Sequence, residues 1–248
     1  MINSAMTVRE VAVKMPESTR LFETLKIDYC CGGNRLLTDA CESAGVTVDN
    51  VIAMLAQLSE SKKKDTVDFQ QLSLTELINQ ILDTHHVFTK AELERLPALI
   101  DKVTKAHGAN HPELFKVSEL FQQLADDLKP HMLKEERILF PYIVSLEAAI
   151  AEKRVMPFAP FASVMYPIRV MTTEHDNAGS ILHELRAVTS DYKTPMDACF
   201  SYHTLYQALA DLEKDLYQHI HLENNILFPK AVEMETPLRV VRHEASSN

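Results

Sequence analysis

Two copies of one short motif carry the residues whose types and spacing suggest chemistry. The copies span 131–141 and 219–229, and both read HxxxExxILFP. A histidine and a glutamate four residues apart on a helix lie on the same face, roughly 6 Å from each other. Each copy can therefore direct one imidazole nitrogen and one carboxylate to a single point. Two copies predict a site for two metal ions.

The histidine and glutamate of the motif continue an apolar helical stripe, so they are predicted to point inward. The stripe around the first copy consists of Leu114, Val117, Phe121, Leu124, Leu128, His131, Glu135, Ile138 and Tyr142. A single histidine on such a face is usually a core residue whose ring is hydrogen-bonded. A buried carboxylate, however, is normally paired, protonated or bound to a metal, because leaving it unpaired is costly. No Lys or Arg shares these stripes, so metal ligation is the better interpretation.

The ligand types narrow the choice of metal. Carboxylates that bridge two ions, with imidazoles outside them and no inward cysteine, favour a non-haem di-iron centre over manganese or zinc. Glu135 and Glu223 are the expected bridges, because one comes from each of two helical hairpins. The histidines are the expected terminal ligands.

Four long helical patterns must position these residues. They begin near Leu74, near Pro112, near Val164 and after Pro195. The spacing from His86 to His175 nearly equals the spacing from His131 to His219, so the two hairpins form an internal repeat. Antiparallel pairing of the helices brings four histidines and two glutamates to one level of a four-helix bundle.

The first helix offers more than one histidine. Periodicity alone leaves both His85 and His86 open as the ligand. His107 lies about 30 Å along a straight helix from His86, so it is not expected in the site. The histidines expected to have surface or core roles are His111, His183, His203 and His221.

The N-terminal part contains a second candidate site, in the turn 28–33 with the sequence DYCCGG. Packing does not readily explain two adjacent thiols in a glycine-rich turn. Turn amides and a following helix N-terminus lower the pKa of a thiol. Cys30 and Cys31 are therefore predicted to form a reactive thiol transfer site.

The predicted organisation has four parts. Residues 1–58 form a small helical domain, 59–71 a charged linker, 72–236 the four-helix bundle, and 237–248 a polar tail that is expected to fray. The chain has 248 residues but only five glycines and no tryptophan, which favours an all-α protein.

Charge and hydropathy restrict the partners and the compartment. A formal net charge of -10 argues against nucleic-acid and anionic-membrane surfaces. The chain begins without the pattern of a secretory signal, and the most apolar later stretch, 155–171, is interrupted by prolines, so no membrane span is expected. The adjacent cysteines would need a strained turn to bridge, which indicates reduced thiols and a cytoplasmic protein.

The CCGG turn, the linker, both HxxxExxILFP motifs and the sequence Glu174-His175-Asp176 together resemble the Repair of Iron Centres family. The resemblance implies an ScdA-type N-terminal domain followed by a hemerythrin-like up-down bundle that holds two iron ions. It implies repair of iron-sulfur clusters damaged by nitric oxide or oxidants, by iron donation, with damaged iron-sulfur proteins as clients. It selects His86 over His85, and the implied ligands are His86, His131, Glu135, His175, His219 and Glu223.

One departure from oxygen-carrying hemerythrins favours labile iron. The third helix of those proteins resembles HxxxH, whereas this chain has Gly179 one turn after His175. Fewer nitrogen ligands leave the iron more exchangeable, as a donor requires. The alternatives are a protein that binds or senses nitric oxide or oxygen, and a di-iron nitric oxide reductase. The sequence leaves open whether the chain forms a homodimer.

Overall fold

The computed structural model describes residues 2–30, 32–60, 68–155 and 157–245, with side chains described as far as Thr236 except at 59 and 60. Cys31 and most of the predicted linker lie outside the described residues. Within the described ranges the regular structure is helical, apart from one isolated bridge between Thr7 and Leu36. The prediction of an all-α fold is confirmed.

Four short helices form the N-terminal unit: α1 (Val8–Lys14), α2 (Ser18–Leu25), α3 (Leu37–Ser43) and α4 (Val48–Glu60). Thr7 caps α1, because its hydroxyl accepts a hydrogen bond from the Glu10 amide at 3.1 Å while the Glu10 carboxylate accepts one from the Thr7 amide at 2.7 Å. The side chains of Phe22, Tyr29 and Leu37 are fully buried in this unit.

The bundle consists of four long helices, three of which contain a π-helical turn. The first helix comprises α5 (Leu74–Gln80), π1 (Ile81–His86) and α6 (Val87–His107). The second comprises α7 (Glu113–Lys134), π2 (Glu135–Leu139) and α8 (Phe140–Ala151), and the third is α9 (Met165–Val188). The fourth comprises α10 (Phe200–Leu222), π3 (Glu223–Leu227) and α11 (Phe228–Ala245).

In both ILFP segments a π turn begins at the glutamate and ends two residues before the proline. The amide of Phe140 donates to the carbonyl of Glu135, and the amide of Phe228 donates to that of Glu223, in the i to i−5 pattern of a π-helix. Pro141 and Pro229 come next, and a proline can neither donate to the carbonyl four residues earlier nor fit against it. The widened turn accommodates the proline without breaking the helix.

This wider turn corrects one sequence-based expectation. Ile138 was placed on the inward stripe with Tyr142, but it is 44% exposed, while Leu139 and Phe140 are buried. A π turn inserts an extra residue into the helix, which brings Leu139 and Phe140 inward and leaves Ile138 at the edge of the buried face, while Tyr142 stays buried. The ordinary helical period therefore fails at this point.

The C-terminal end is helical, because α11 continues to Ala245. The fraying of the segment from 237 onward stays a prediction. This segment contains Leu, Arg, Glu and Ala, which are good helix formers, and these continue a helix that has already begun.

The bundle packs its apolar side chains in two layers. One layer lies toward the hairpin loops and includes Leu93, Leu124, Leu182 and Leu209. The other lies toward the opposite end and includes Ile81, Phe140, Met171 and Phe228. The sequence positions of the predicted ligands fall between these two sets on all four helices, so a polar layer crosses the middle of the bundle.

The N-terminal unit rests on the fourth helix, where α1 packs against π3. The Asn225 side-chain amide donates to the Tyr29 carbonyl at 3.1 Å, and the Tyr29 ring meets the His221 ring edge to face at 5.3 Å. Lys26 also pairs with Asp191. The turn that contains Cys30 is thus attached close to Glu223.

Candidate metal centre

The structure brings six predicted residues together in the polar layer. They form two groups, and within each group the four donor atoms lie within 4.8 Å of one another. One group consists of His86, Glu135, His219 and Glu223, and the other consists of His131, Glu135, His175 and Glu223. All six side chains are buried. The two groups therefore share both glutamates.

Each carboxylate directs one oxygen to each group. The Oε2 of Glu135 lies 3.5 Å from His86 Nε2, and its Oε1 lies 3.3 Å from His131 Nε2. The Oε1 of Glu223 lies 3.0 Å from His219 Nε2, and its Oε2 lies 3.1 Å from His175 Nε2. This is the arrangement that two bridging carboxylates require.

The imidazoles meet in pairs through the same ring nitrogen. His86 Nε2 lies 3.2 Å from His219 Nε2, and His131 Nε2 lies 3.0 Å from His175 Nε2. Each histidine pair therefore presents two ring nitrogens to the space beside the two carboxylates.

Three further side chains orient these rings. The Nδ1 atoms of His86, His131 and His175 contact oxygens of Glu136, Glu174 and Asn224 at 2.7, 2.8 and 2.9 Å, respectively. Because these oxygens accept hydrogen bonds, they place the ring proton on Nδ1 and leave Nε2 as a lone-pair donor to a metal. Lys90 and Lys134 pair with Glu136 and Glu174 and keep both carboxylates charged.

The unsatisfied atoms show that these residues suit a cation. Both oxygens of Glu135 and Oε2 of Glu223 accept no hydrogen bond of normal geometry from the described residues. Lone pairs of imidazoles and carboxylates thus face one another in a buried space that no Lys or Arg of the described residues enters. Buried charges of this kind are normally compensated, and a metal ion between them satisfies every member of the set.

The charges of the site are consistent with this interpretation. Burial raises the pKa of Glu223, but the neighbouring His219 and His175 outweigh burial and hold that pKa well below its ordinary value. Burial lowers the pKa of His131, but the Glu135 carboxylate outweighs burial and raises it to about 9. Glu223 is therefore ionised at neutral pH, which is the form that binds metal, whereas His131 is protonated on both ring nitrogens at that pH and must release its Nε2 proton when metal binds.

His85 and His107, which the sequence left open or set aside, lie outside both groups. The Nδ1 of His85 contacts Asp215 at 2.9 Å, and its ring stacks on that of His219. The Nε2 of His107 contacts the Cys199 sulfur at 3.2 Å near the hairpin loops. The geometry thus groups His86 with the other predicted ligands and His85 beside them.

The predicted thiol site is only partly described. Cys30 is buried, and its sulfur and backbone amide both donate to the Asp28 carboxylate, at 3.2 and 3.0 Å. Cys41 is also buried, whereas Cys199 is exposed. The reactivity of Cys30 and Cys31 remains a prediction.

Sequence reasoning missed the roles of Glu136, Glu174 and Asn224. Each is the chain neighbour of a predicted ligand, yet each orients a histidine on a different helix. A polar residue directly beside a ligand was the available signal. Periodicity along one helix does not show which neighbouring helix such a residue reaches.

The fold and the donor set define a hemerythrin-like bundle with a site for metal. Residues 77–231 match the profile of the hemerythrin HHE cation binding domain, and residues 4–59 match ScdA_N, described as a domain of unknown function (DUF542). Among the described residues, none of the helices combines the length and hydropathy that a membrane span needs.

Relatives that match along nearly their whole length show the family to which the chain belongs. The chain is 34% identical over 224 residues to a probable iron-sulfur cluster repair protein of Haemophilus influenzae, covering 90% of this chain and 95% of the relative. It is 35% identical over 226 residues to the iron-sulfur cluster repair protein YtfE of Dickeya chrysanthemi, covering 91% and 96%. It is 29% identical over 230 residues to ScdA of Staphylococcus haemolyticus, covering 93% and 99%. The chain belongs to this family of iron-sulfur cluster repair proteins, and the resemblance to Repair of Iron Centres proteins is confirmed.

Proposed function

We propose that this protein restores iron-sulfur clusters damaged by nitrosative or oxidative stress, and that its buried site holds two iron ions as the cargo it donates. The observation that carries the proposal is the pair of donor groups that share Glu135 and Glu223. The relatives named as iron-sulfur cluster repair proteins support the same role. Damaged iron-sulfur proteins are the proposed clients.

The donor set favours iron over the alternatives. Imidazoles and carboxylates without a thiolate suit non-haem iron, with manganese and zinc as runners-up. In this proposal His86 and His219 hold one ion, His131 and His175 hold the other, and both glutamates bridge. When bound, the iron pair supplies the ferrous ions that a degraded cluster lacks.

The chain's own residues hold the cargo in a buried pocket that offers few nitrogen ligands. Gly179 is buried on α9 one turn after His175, so no additional imidazole comes from that position. The apolar layers on both sides exclude water from the carboxylates. Few nitrogen ligands in a dry pocket are compatible with an ion that is protected yet exchangeable.

Cys30 and Cys31 are the proposed transfer site between the bundle and a client. The support is proximity, because Asn225, which holds the Tyr29 carbonyl, lies two residues after Glu223. In this transfer a cysteine thiolate would replace a histidine or carboxylate ligand of a ferrous ion; the thiol proton would pass to the displaced ligand, and no electron would move. Cys30 must leave its contact with Asp28 for this step.

The test uses a [4Fe–4S] enzyme inactivated by nitric oxide or peroxide. Mixing it with the iron-loaded protein is expected to restore activity beyond a control that contains the same amount of free ferrous iron. The double variant Cys30→Ala/Cys31→Ala is expected to keep its iron and lose this advantage. Equal recovery in the wild-type reaction and the free-iron control would rule out donation.

Two other functions remain as outcomes of that experiment. A stable adduct with nitric oxide or oxygen, formed without loss of iron, would favour a sensor. Steady consumption of nitric oxide with an electron donor would favour a reductase. Neither outcome is favoured by a specific contact among the described residues.

A further inference from the structure

We infer that the two halves of the site hold their metal unequally, and that the ion between His86 and His219 is the exchangeable one. The ion between His131 and His175 is the retained one. The inference rests on the proposed function only in taking both donor groups as metal sites. It adds which ion leaves, from which side, and which residue causes the difference.

The argument begins with the protons of the imidazoles. A neutral imidazole carries one N–H, so a ring that binds metal through Nε2 must carry its proton on Nδ1. His86, His131 and His175 place that proton against Glu136, Glu174 and Asn224. The proton of each of these rings therefore has an acceptor before metal binds.

His219 differs from the other three histidines. Its Nδ1 atom is buried and has no hydrogen-bond partner among the described residues. Metal binding at Nε2 therefore buries an unpaired N–H at this position. Outer partners of metal-bound histidines typically contribute about 10–100-fold to metal affinity. The half that contains His219 is weakened by a factor of this size.

The internal repeat identifies the residue responsible. Glu136 and Asn224 each follow a bridging glutamate, and each orients a histidine within its own hairpin. Glu174 precedes the ligand of the third helix and reaches across to the other hairpin, to His131. The corresponding residue of the first helix, which precedes His86, is His85.

His85 does not provide the acceptor that the repeat would place there. Its ring lies nearly parallel to that of His219, with centroids 5.6 Å apart and an interplanar angle of 5°. Its own Nδ1 contacts Oδ1 of Asp215 instead. The other oxygen of Asp215, which lies one turn before His219, is also buried without a hydrogen-bond partner among the described residues, so neither His85 nor Asp215 accepts from His219. Three of the four outer contacts are therefore made, and the missing one belongs to His219.

A cavity lies on the same side of the site. It has a volume of about 250 Å³, and its lining includes His85, with Leu222 and Ile226 of the fourth helix and Pro16 and Arg20 of the N-terminal unit. His85, whose ring stacks on that of His219, forms part of the wall of this cavity. The weaker half therefore faces the space between the bundle and the N-terminal unit, and an ion leaving it enters that space.

The test measures release of iron. The protein is loaded anaerobically with two equivalents of ferrous iron and mixed rapidly with a coloured ferrous chelator. Two phases of equal amplitude are expected, with rates about 10–100-fold apart. Glu174→Ala removes the acceptor for His131 and is expected to accelerate only the slow phase. Glu136→Ala, the matched change in the other half, is expected to accelerate only the fast phase.

A restoring variant gives the sharpest test. His85→Gln offers a neutral acceptor to His219, as Asn224 does to His175, and is expected to slow the fast phase toward the slow one. His85→Ala offers no acceptor and is the control, which should not slow release. The inference is overturned by a single phase for both equivalents in the wild-type protein, by fewer than two bound ions, or by acceleration of the fast phase in Glu174→Ala.

The outcomes separate this inference from the proposed function. Equal release of both ions combined with reactivation of a damaged enzyme would overturn the inference and leave iron donation intact. Two well-separated phases without reactivation would overturn iron donation and leave the inference intact.

Discussion

Histidines and carboxylates occur together both in the middle of the bundle and at the end near the hairpin loops, but their hydrogen bonding differs. At the loop end, His107 contacts the sulfur of Cys199 at 3.2 Å, while His111 contacts Asp197 at 3.0 Å and Glu113 at 3.1 Å. In the middle, four histidines and two glutamates face one another without enough donors. Within the described residues, only the middle gathers three or more donor atoms within 4.8 Å.

The difference teaches that residue types alone do not make a metal site. At the loop end each histidine already has a partner, and the Asp197 side chain is 57% exposed, so water completes its hydrogen bonding. In the middle, water is excluded, and the outer partners of His86, His131 and His175 fix the ring protons of these histidines on the side away from the glutamates. A cation is required where acceptors are both buried and left unpaired.

Replacing one glutamate by glutamine in each region is expected to give the largest difference, which is in the amount of bound iron. Glu223→Gln removes a bridging carboxylate and is expected to reduce bound iron from two equivalents toward none, with affinity lowered by more than ~100-fold, since even outer partners contribute 10–100-fold. Glu113→Gln at the loop end is expected to keep both equivalents. Elemental analysis after desalting measures this, and full retention of iron by Glu223→Gln would refute the assignment of the bridges.

Removing the metal is expected to have the next largest effect. A ligand present at about 1,000 times its dissociation constant stabilises the folded state by about 4 kcal/mol, which corresponds to a shift in Tm of about 10 °C for a domain of this size. Chelation should therefore lower the Tm of the loaded wild-type protein.

The loop end supplies the control for that measurement. His111→Ala should change Tm equally with and without metal, because His111 lies outside both donor groups. A chelation effect that disappears in His111→Ala would move the site away from the middle of the bundle.

A smaller effect is expected for the rate at which the Cys199 thiol is alkylated as a function of pH. Hydrogen bonds from the Tyr202 backbone amide and from His107 lower the pKa of the Cys199 thiol. The thiolate is the reactive form, so Cys199 should be alkylated at a lower pH than an ordinary thiol. His107→Ala should move the rate profile of Cys199 to higher pH, as measured by mass spectrometry, whereas His131→Ala should leave it unchanged.

The smallest effect is expected at an exposed ion pair near the loops. Lys105 and Asp101 lie 2.7 Å apart, but their side chains are 75% and 61% exposed. Such pairs contribute about 0.2–1 kcal/mol, so Lys105→Ala should change the free energy of unfolding by less than ~1 kcal/mol in urea titrations. A larger loss would mean that the loop end is more rigid than its exposure indicates.

Much of this architecture follows from sequence periodicity. The long helices, the hairpin repeat and the meeting of His131, His175 and His219 with the glutamates depend on regular spacing, and spacing along a helix is fixed by backbone geometry. The choice between His85 and His86 did not follow, because both lie near the inward face. It depends on which residue packs against a neighbouring helix, which one helix alone does not show.

The roles of the orienting residues could not be predicted from the sequence either, because these residues contact histidines on neighbouring helices. Glu174 contacts a histidine 43 positions earlier, and Glu136 contacts one 50 positions earlier. Ile138 is a different case, because the sequence does not show the π turn at Glu135–Leu139, which changes the helical phase. Long-range contacts and departures from the ordinary helical period both require the three-dimensional structure.

The paired π turns also distinguish the two faces of the repeat. The same isoleucine of the ILFP segment occurs twice, and Ile138 is 44% exposed whereas Ile226 is 5% exposed. Ile226 and Pro16 of the N-terminal unit both line the cavity. One copy of the duplicated segment thus serves as the seat of the N-terminal unit, and the other presents the same residue to solvent. The N-terminal unit therefore packs on one of the two repeated segments, through α1 and π3.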